Sequence, residues 1–257
     1  MIQRYSNRSS SKTSHSVKSV SYKFAMNPEN KILLTPDTPD YPAALRRCSD
    51  NGQLLTVTAQ GNLDVLDSTL LGFFCSVRSP GDTILKTYDL ARALRDTDAT
   101  IIGGFQSPME KECLDLLLRG TAPVVVCPAR GLSRMRTPKN WKNPLAEGRM
   151  LILSFFDGNI HRPTAAIAAR RNTYIAALAD RILIAHAEPG GKTETLCKDA
   201  LAQNKPVFVL DSPDNAHLIE LGSIPIPAEE VCSAIQGKVI YREDINTPTI
   251  DEWKDLS

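Results

Sequence analysis

The stretch TIIGGFQSPMEKECLDLLLRGTAPVVVC, Thr100–Cys127, reads as a strand, a glycine turn, a capped helix and a second strand. Thr100–Ile102 is a short apolar run that ends in Gly103-Gly104. Over Pro108–Arg119 the apolar residues fall at helical spacing, with Met109, Cys113, Leu116 and Leu117 on one face. Ser107 stands at the N-cap, Pro108 at the first helical position and Glu110 in the first turn. These residue types satisfy or tolerate the unpaired amides of a helix start. Pro123–Cys127, with three consecutive valines, has no polar face. A strand that is apolar on both sides belongs in a sheet covered on both faces, and the intervening helix supplies the crossover that a parallel pair needs.

The same alternation extends outward. Upstream, Leu54–Thr58 and Leu70–Cys75 read as strands, followed by a helix over Gly81–Thr97 with Ile84, Tyr88, Ala91 and Leu94 on one face. Downstream come a strand at Leu151–Phe155, an Ala-rich helix at Pro163–Ala179, a strand at Arg181–Ala185, a helix at Thr193–Gln203 and a strand at Pro206–Leu210. Ala216–Leu221 and Ala228–Gln236 read as short helices and Lys238–Tyr241 as a last strand. The pattern predicts an α/β, Rossmann-like, doubly wound and mostly parallel sheet with helices on both faces. Such sheets bind ligands beyond the carboxyl ends of their strands, where the strand order reverses.

Composition narrows the function. The 257 residues are 42% hydrophobic, so a wholly disordered chain is excluded. The longest apolar runs, Thr121–Cys127 and Met150–Phe156, fall far short of the ~20 residues that span a bilayer, so no membrane partner is expected. A net charge of +1 argues against a generic polycation. The average hides an asymmetry: Met1–Ala25 is Ser-rich, carries Arg4, Arg8, Lys12, Lys18 and Lys23, and has no acid. It reads as a disordered tail, with residues 26–257 as a single folded domain. A bland tail or a translation start at Met26, a transit-like segment and a nucleic-acid-binding arm all fit that composition. The six cysteines show no C-x-x-C pair and no zinc spacing, so they read as reduced cytosolic thiols, and neither a metal nor a cofactor is called for.

The turns after the strands carry the chemistry. Ser76-Val77-Arg78-Ser79-Pro80-Gly81-Asp82 opens a helix, where amides and the helix dipole favour an anion and Arg78 adds a bidentate donor. An ordinary Ser/Pro/Gly turn explains it equally well. In Gly103-Gly104-Phe105-Gln106-Ser107 the two glycines let a ligand approach the backbone, Ser107 and the helix-start amides suit phosphate, and Glu110 suits a ribose hydroxyl. Arg130, Arg134 and Arg136 are followed by Lys139 and Lys142 around Trp141, a basic cluster that suits phosphates on cations and a base on the ring. A solvated charge run with Trp141 buried is the competing reading. Arg170-Arg171-Asn172 interrupts an Ala/Ile helix, so at least one of the three faces the core or the cleft. Gly190-Gly191-Lys192-Thr193 supplies amides, a cation and a hydroxyl for phosphate, but it lacks the first Gly of a Walker A loop, which disfavours an NTPase. No nucleophile–base pair stands out. Of four scattered histidines, only His186 lies at a strand end in the expected cleft.

In this order the pieces resemble the DNA-processing protein A (DprA/Smf) family. Asp40-Tyr41-Pro42-Ala43-Ala44-Leu45 and Gly61-Asn62-Leu63 match its opening, and Phe74–Arg78 its V-G-S-R turn. Gly103–Glu110 matches its S-G-L-A-x-G-I-D turn and Arg171–Asp180 its R-N-R-I-I-A-G-L-S-D helix, the most specific match. Gly190–Leu196 matches its S-G-S-L-x-T-A turn, and the resemblance runs over about residues 31–225. It implies single-stranded DNA binding in a positive pocket, here Ser76, Arg78, Gly104, Gln106, Ser107, Arg171, Asn172, Gly190, Gly191 and Thr195. A homodimer is implied by the resemblance as well. The sequence departs from the pattern at Cys75 (for Gly), at Arg78 (one place late), at Glu110 (for Asp) and at Leu114 (for His). The N-terminal helical and C-terminal winged-helix domains of many members have no counterpart, so a short core-only member is expected, with RecA loading doubtful.

Two other functions fit the same cleft. One is a nucleotide-sensing module for a nucleotide or phosphate ligand. The other is a nucleotide phosphoribohydrolase of the Lonely Guy type, whose core fold is similar. Pro189–Glu194 looks partly like that enzyme's P-G-G-x-G-T-x-x-E motif, with Arg170 or Arg171 and Glu194 as stand-ins at the ribose–base bond.

Overall fold

The structure is a computed structural model that describes residues 30–39 and 41–235. The basic tail, Asp40 of the Tyr-Pro motif and the strand expected at Lys238–Tyr241 lie outside the described residues.

In chain order the elements begin with β1 (Lys31–Leu34), β2 (Ser49–Asp50), β3 (Gln53–Leu54), β4 (Val57–Gly61), β5 (Leu70–Cys75), α1 (Gly81–Leu94), β6 (Thr100–Gly103), α2 (Pro108–Leu117) and β7 (Val124–Val126). They continue with α3 (Lys142–Ala146), β8 (Met150–Ser154), α4 (Ala165–Leu178), β9 (Arg181–His186), α5 (Lys192–Ala202), β10 (Val207–Leu210), α6 (Ala216–Glu220), β11 (Ile224–Ile226) and α7 (Val231–Ile235). Nine strands form one sheet in the order β1-β4-β8-β7-β6-β5-β9-β10-β11, while β2 and β3 form a small hairpin. The seven strands from β8 to β11 run parallel, and β4 and β1 add on antiparallel at one edge. The Rossmann-like α/β expectation is therefore met, with an antiparallel edge added.

Strand alternation builds two cores. Leu70 and Phe74 of β5 meet Tyr174, Ile175 and Leu178 of α4 and Cys197 of α5 on one face. Leu71 and Phe73 meet Leu90 and Leu94 of α1 and Met109 and Cys113 of α2 on the other. Side chains of successive strand residues point to opposite faces, so one apolar hexapeptide serves both layers.

Some elements differ from expectation. The strand predicted at Leu54–Thr58 is split between β3 and β4. Helix α1 buries Thr83, Thr87, Leu90, Ala91 and Leu94, with Ile84 and Tyr88 only half-buried. The two threonines turn inward because each finds a partner: Thr83 Oγ1 donates to Asp214 Oδ2 at 2.6 Å, and Thr87 Oγ1 to the Thr83 carbonyl at 2.6 Å. In α2, Leu114 is buried and Leu116 only half-buried, beside Met109, Cys113 and Leu117.

From β5 the chain winds through β6 and β7 to β8, then returns through α4 to β9 on the other flank of β5. The reversal falls between β5 and β9, so the turns after these two strands face each other across the crevice that this topology opens.

Candidate functional site: the crevice between β5 and β9

Ser76 joins the two sides of the reversal. Its amide donates to the His186 carbonyl at 2.9 Å. Its hydroxyl donates to Thr193 Oγ1 at 3.2 Å and accepts from the Glu188 amide at 3.0 Å. Beside this bridge lies a cavity of about 650 Å³ lined by Arg78, Pro80, His186, Glu188, Pro189 and Asp214, among others. Arg78, which lines it, is exposed, as is its chain neighbour Val77, by 72%.

The helix starts around the crevice differ in what they leave free. Helix α2 is closed by a capping box: Ser107 Oγ accepts from the Glu110 amide, and the Glu110 carboxylate accepts from the amides of Ser107 and Gln106. The same carboxylate takes the Cys75 amide at 3.1 Å, so Glu110 fastens the ends of β5 and β6 together. The amides expected to hold phosphate at Gln106 and Ser107, and the acid expected to meet a ribose, are engaged with each other. Helices α1 and α5 start at Pro80 and Gly191, and neither has a side-chain cap. Their first-turn amides have no partner within their own helices.

Gly103 and Gly104 serve packing. A Cβ on Gly103 would press into the ring of Phe105, which stacks on Phe73 with centroids 6.4 Å apart. A Cβ on Gly104 would collide with the guanidinium of Arg171. Of the triplet in α4, Arg171 is the residue that enters the core, 3% exposed. Its Nη1 donates to the Cys127 carbonyl at 2.8 Å and its Nη2 to Gln106 Oε1 at 3.1 Å. Burial lowers its pKa, and the negative charge of Glu110 opposes that shift. Arg170 points elsewhere: it pairs with Asp50 of the β2–β3 hairpin and donates from Nε to Tyr174 Oη at 2.6 Å. Asn172 is half-buried.

In the loop after β9, Gly190 has φ +71°, a conformation that favours glycine, and its amide donates to Glu194 Oε2 at 2.6 Å. Glu194 also pairs with Lys198. The Lys198 ammonium first, and then the Gly190 amide, hold its carboxyl below the usual range. The Gly191 amide donates to the Glu188 carbonyl, and Thr195 Oγ1 donates to the Gly191 carbonyl. Lys192 is exposed and Thr193 half-buried. The residues nominated for ribose–base cleavage thus have other duties: Glu194 shapes the loop, Arg171 braces the core and Arg170 holds the hairpin.

The basic cluster does not gather over the crevice. Arg130 lies just beyond β7, two strands or roughly 10 Å from β5. Arg134 and Arg136 are exposed along the segment that leads away from it, where Lys31 Nζ donates to the Leu132 and Met135 carbonyls. Lys139 and Lys142 are exposed, whereas Trp141 is half-buried against the α1–α2 core. Asn140 and Asn143 join Thr121 and Arg149, which precede β7 and β8, around a second cavity of about 760 Å³ at the opposite end of the strands. Sequence reasoning missed Asn215, Asp214 and His217, which bear on the crevice from the β10–α6 turn. No local pattern marks them; only the pairing of β9 with β10 brings them there.

Comparison with known proteins bears on the family and the fold. The family model of the DNA recombination-mediator protein A matches residues 32–222. The curated Protein Smf of Synechocystis sp. is 29% identical over 254 residues, 86% of this chain and 63% of its own, so the chain spans less than two thirds of that relative. Among solved structures, DNA processing protein A from Streptococcus pneumoniae superposes with a TM-score of 0.66 at 17% identity, covering 83% of this chain and 76% of that one. DNA processing protein A from Helicobacter pylori, described for its single-stranded DNA binding mode, superposes at 0.64 with 19% identity, covering 82% and 97%. With the family model matching most of its length, the chain belongs to the DNA recombination-mediator protein A family.

Proposed function

We propose that the protein binds single-stranded DNA, with backbone phosphates held in the crevice beyond β5 and β9. The observation that carries this reading is the pair of uncapped helix starts, α1 and α5, that flank the strand-order reversal beside a cavity lined by Arg78. Amides at a helix start, with the positive end of the helix dipole, suit an anion, and Arg78 adds a fork of donors. The turns Ser76–Asp82 and Gly190–Thr195 are the phosphate-binding loops, and Lys192, exposed in the second, adds a mobile cation. Arg130, Arg134 and Arg136 extend the strand's path beyond the crevice. Arg171 and Gly104 act on it indirectly, by fixing the ends of β6 and β7. The Helicobacter pylori relative, with its single-stranded DNA binding mode, supports the same reading.

Binding of a labelled single strand, followed by anisotropy across a salt series, tests it. Log affinity falls linearly with log salt, and Arg78→Ala lowers both affinity and slope, the slope by about 1. An Arg78→Ala protein with unchanged affinity and slope refutes the placement. A thermal shift with free nucleotide in a protein that ignores DNA assigns the same cavity to a nucleotide instead.

A further inference from the structure

The orientation of His186 is determined by a residue that no sequence pattern singles out. Asn215 is fully buried, and its Nδ2 donates to the carbonyls of Ala185 and Leu210, both at 2.9 Å. Its Oδ1 therefore faces the other way, toward the Ala187 amide and His186 Nδ1, the latter at 3.1 Å. An amide oxygen only accepts, so Nδ1 carries the proton, and Nε2 of the neutral ring is a bare acceptor. Burial favours that neutral ring and lowers the pKa of His186, while Asn215, Asp214 and Glu188 pull the other way and His217 adds to the lowering. His186 lines the cavity at the reversal, and among the described residues no protein donor meets Nε2.

Two further groups beside His186 have the same polarity, while Arg78, Ser79 and His217 also line the cavity. Glu188 and Asp214 present carboxylates, and the Asp214 oxygen bonded to Thr83 leaves its other oxygen for the cavity. Pro80, Pro189 and Pro213 add apolar faces against which a flat ring packs. Arg78 stands at the rim, where a phosphate attached to such a ring would lie.

We propose, resting on the single-strand reading above, that His186 reads a base: its Nε2 accepts from the exocyclic amino group of a nucleobase lodged among these acceptors. The preference follows from the base edges. Cytosine offers an amino group at the position where thymine offers a carbonyl oxygen. A carbonyl set against the imidazole lone pair finds no donor there and leaves the buried Nε2 of His186 unpaired, while exposed Glu188 and half-buried Asp214 repel its oxygen. The protein then binds deoxycytidine strands in preference to deoxythymidine strands, two pyrimidines of closely matched size.

Anisotropy titrations of homopolymer dC and dT strands of equal length, at neutral pH and one salt concentration, test this. The expected result is dC tighter by roughly tenfold, the lower part of the range for a specific base contact. His186→Phe, which removes the acceptor, brings the ratio near one. His186→Gln, whose side-chain oxygen also accepts, keeps part of it. Arg78→Ala weakens both strands alike and leaves the ratio standing. The wild-type ratio needs no variant, so the test survives a variant that fails to fold. Equal affinities in the wild type, or an unchanged ratio in a folded His186→Phe protein, overturn base reading and leave DNA binding intact. Failure of both strands to bind at low salt overturns the single-strand reading and this proposal with it.

Discussion

Replacing Gly104 by alanine tests the packing that fixes the ends of β6 and β7. The added methyl group would sit where the Arg171 guanidinium now lies. Arg171 as a whole is 3% exposed, and moving its head group breaks the bonds to the Cys127 carbonyl at 2.8 Å and to Gln106 Oε1 at 3.1 Å. Hydrogen bonds from a charged group contribute ~1.5–3 kcal/mol each, and stranding a buried charge costs ~3–5 kcal/mol. Gly104→Ala is therefore expected to destabilise the fold by about 3–5 kcal/mol, a large part of a typical domain's ~5–15 kcal/mol. With Arg171→Ala as background the obstacle is gone. The same substitution should then cost about 1 kcal/mol or less, or even stabilise slightly through the stiffer unfolded chain. Urea unfolding of the four proteins in this double-mutant cycle, followed by circular dichroism, gives the coupling energy. A cost under about 1 kcal/mol in the wild-type background, or the same cost in both backgrounds, would refute the reasoning.

Three further outcomes are expected. Ser107→Ala removes one cap bond and should cost about 1 kcal/mol. Glu110→Gln, which weakens the acceptor of three backbone amides, should cost more than Ser107→Ala; the reverse order in urea melts would contradict the role given to Glu110. Burial pushes the Cys48 thiol up to about 12 and the Cys75 thiol up to about 11. Native protein at mildly alkaline pH should therefore label slowly with iodoacetamide except at half-buried Cys232, and peptide mapping that finds Cys48 or Cys75 modified first would contradict this. The Glu194 carboxyl is held below its unfolded value, so its stabilisation is present at neutral pH and is lost as pH falls through the folded value. The melting-temperature gap between wild type and Glu194→Gln should shrink as the solution is acidified below the ordinary carboxylate range, and a gap that widens would reverse the assignment.

The parallel part of the sheet was legible because burial on both faces leaves a plain trace: Leu70–Cys75 and Pro123–Cys127 have no polar face, and α2 announces itself with Ser107, Pro108 and Glu110. The edges were not legible. Strand β11 is Ile224–Ile226 with Pro225 in its middle, a residue that reads as a breaker yet is tolerated on an edge strand. Strand β1 has four residues, too few to register a period. The face of α1 was misread because Thr83 and Thr87 count as polar in any periodicity, and only the structure supplies the partners that let them turn inward. For the site, the motifs located the turns, while pairing decided the roles. Gly104 was read as room for a ligand and makes room for Arg171, 67 positions along the chain, a contact that no local spacing encodes. Trp141 beside Lys139 and Lys142 resembled a stacking platform, but its ring packs on the core.

The antiparallel edge bears on how the chain reaches this fold. Strand β4 pairs with β1 and β8 alone, so its inner partner lies between Met150 and Ser154, after β5, β6 and β7 have been made. About 90 residues separate the end of β4 from the start of β8, a delay of roughly 5–20 s at ribosomal speed. A lone two-stranded ribbon is marginal in water, so β1 and β4 dock only after strands that follow them in the chain. During that interval the side chains of Leu34 and Val57, both buried in the finished fold, lack their packing partners, and Leu33 stays exposed throughout, so this ribbon presents apolar surface that a chaperone could cover.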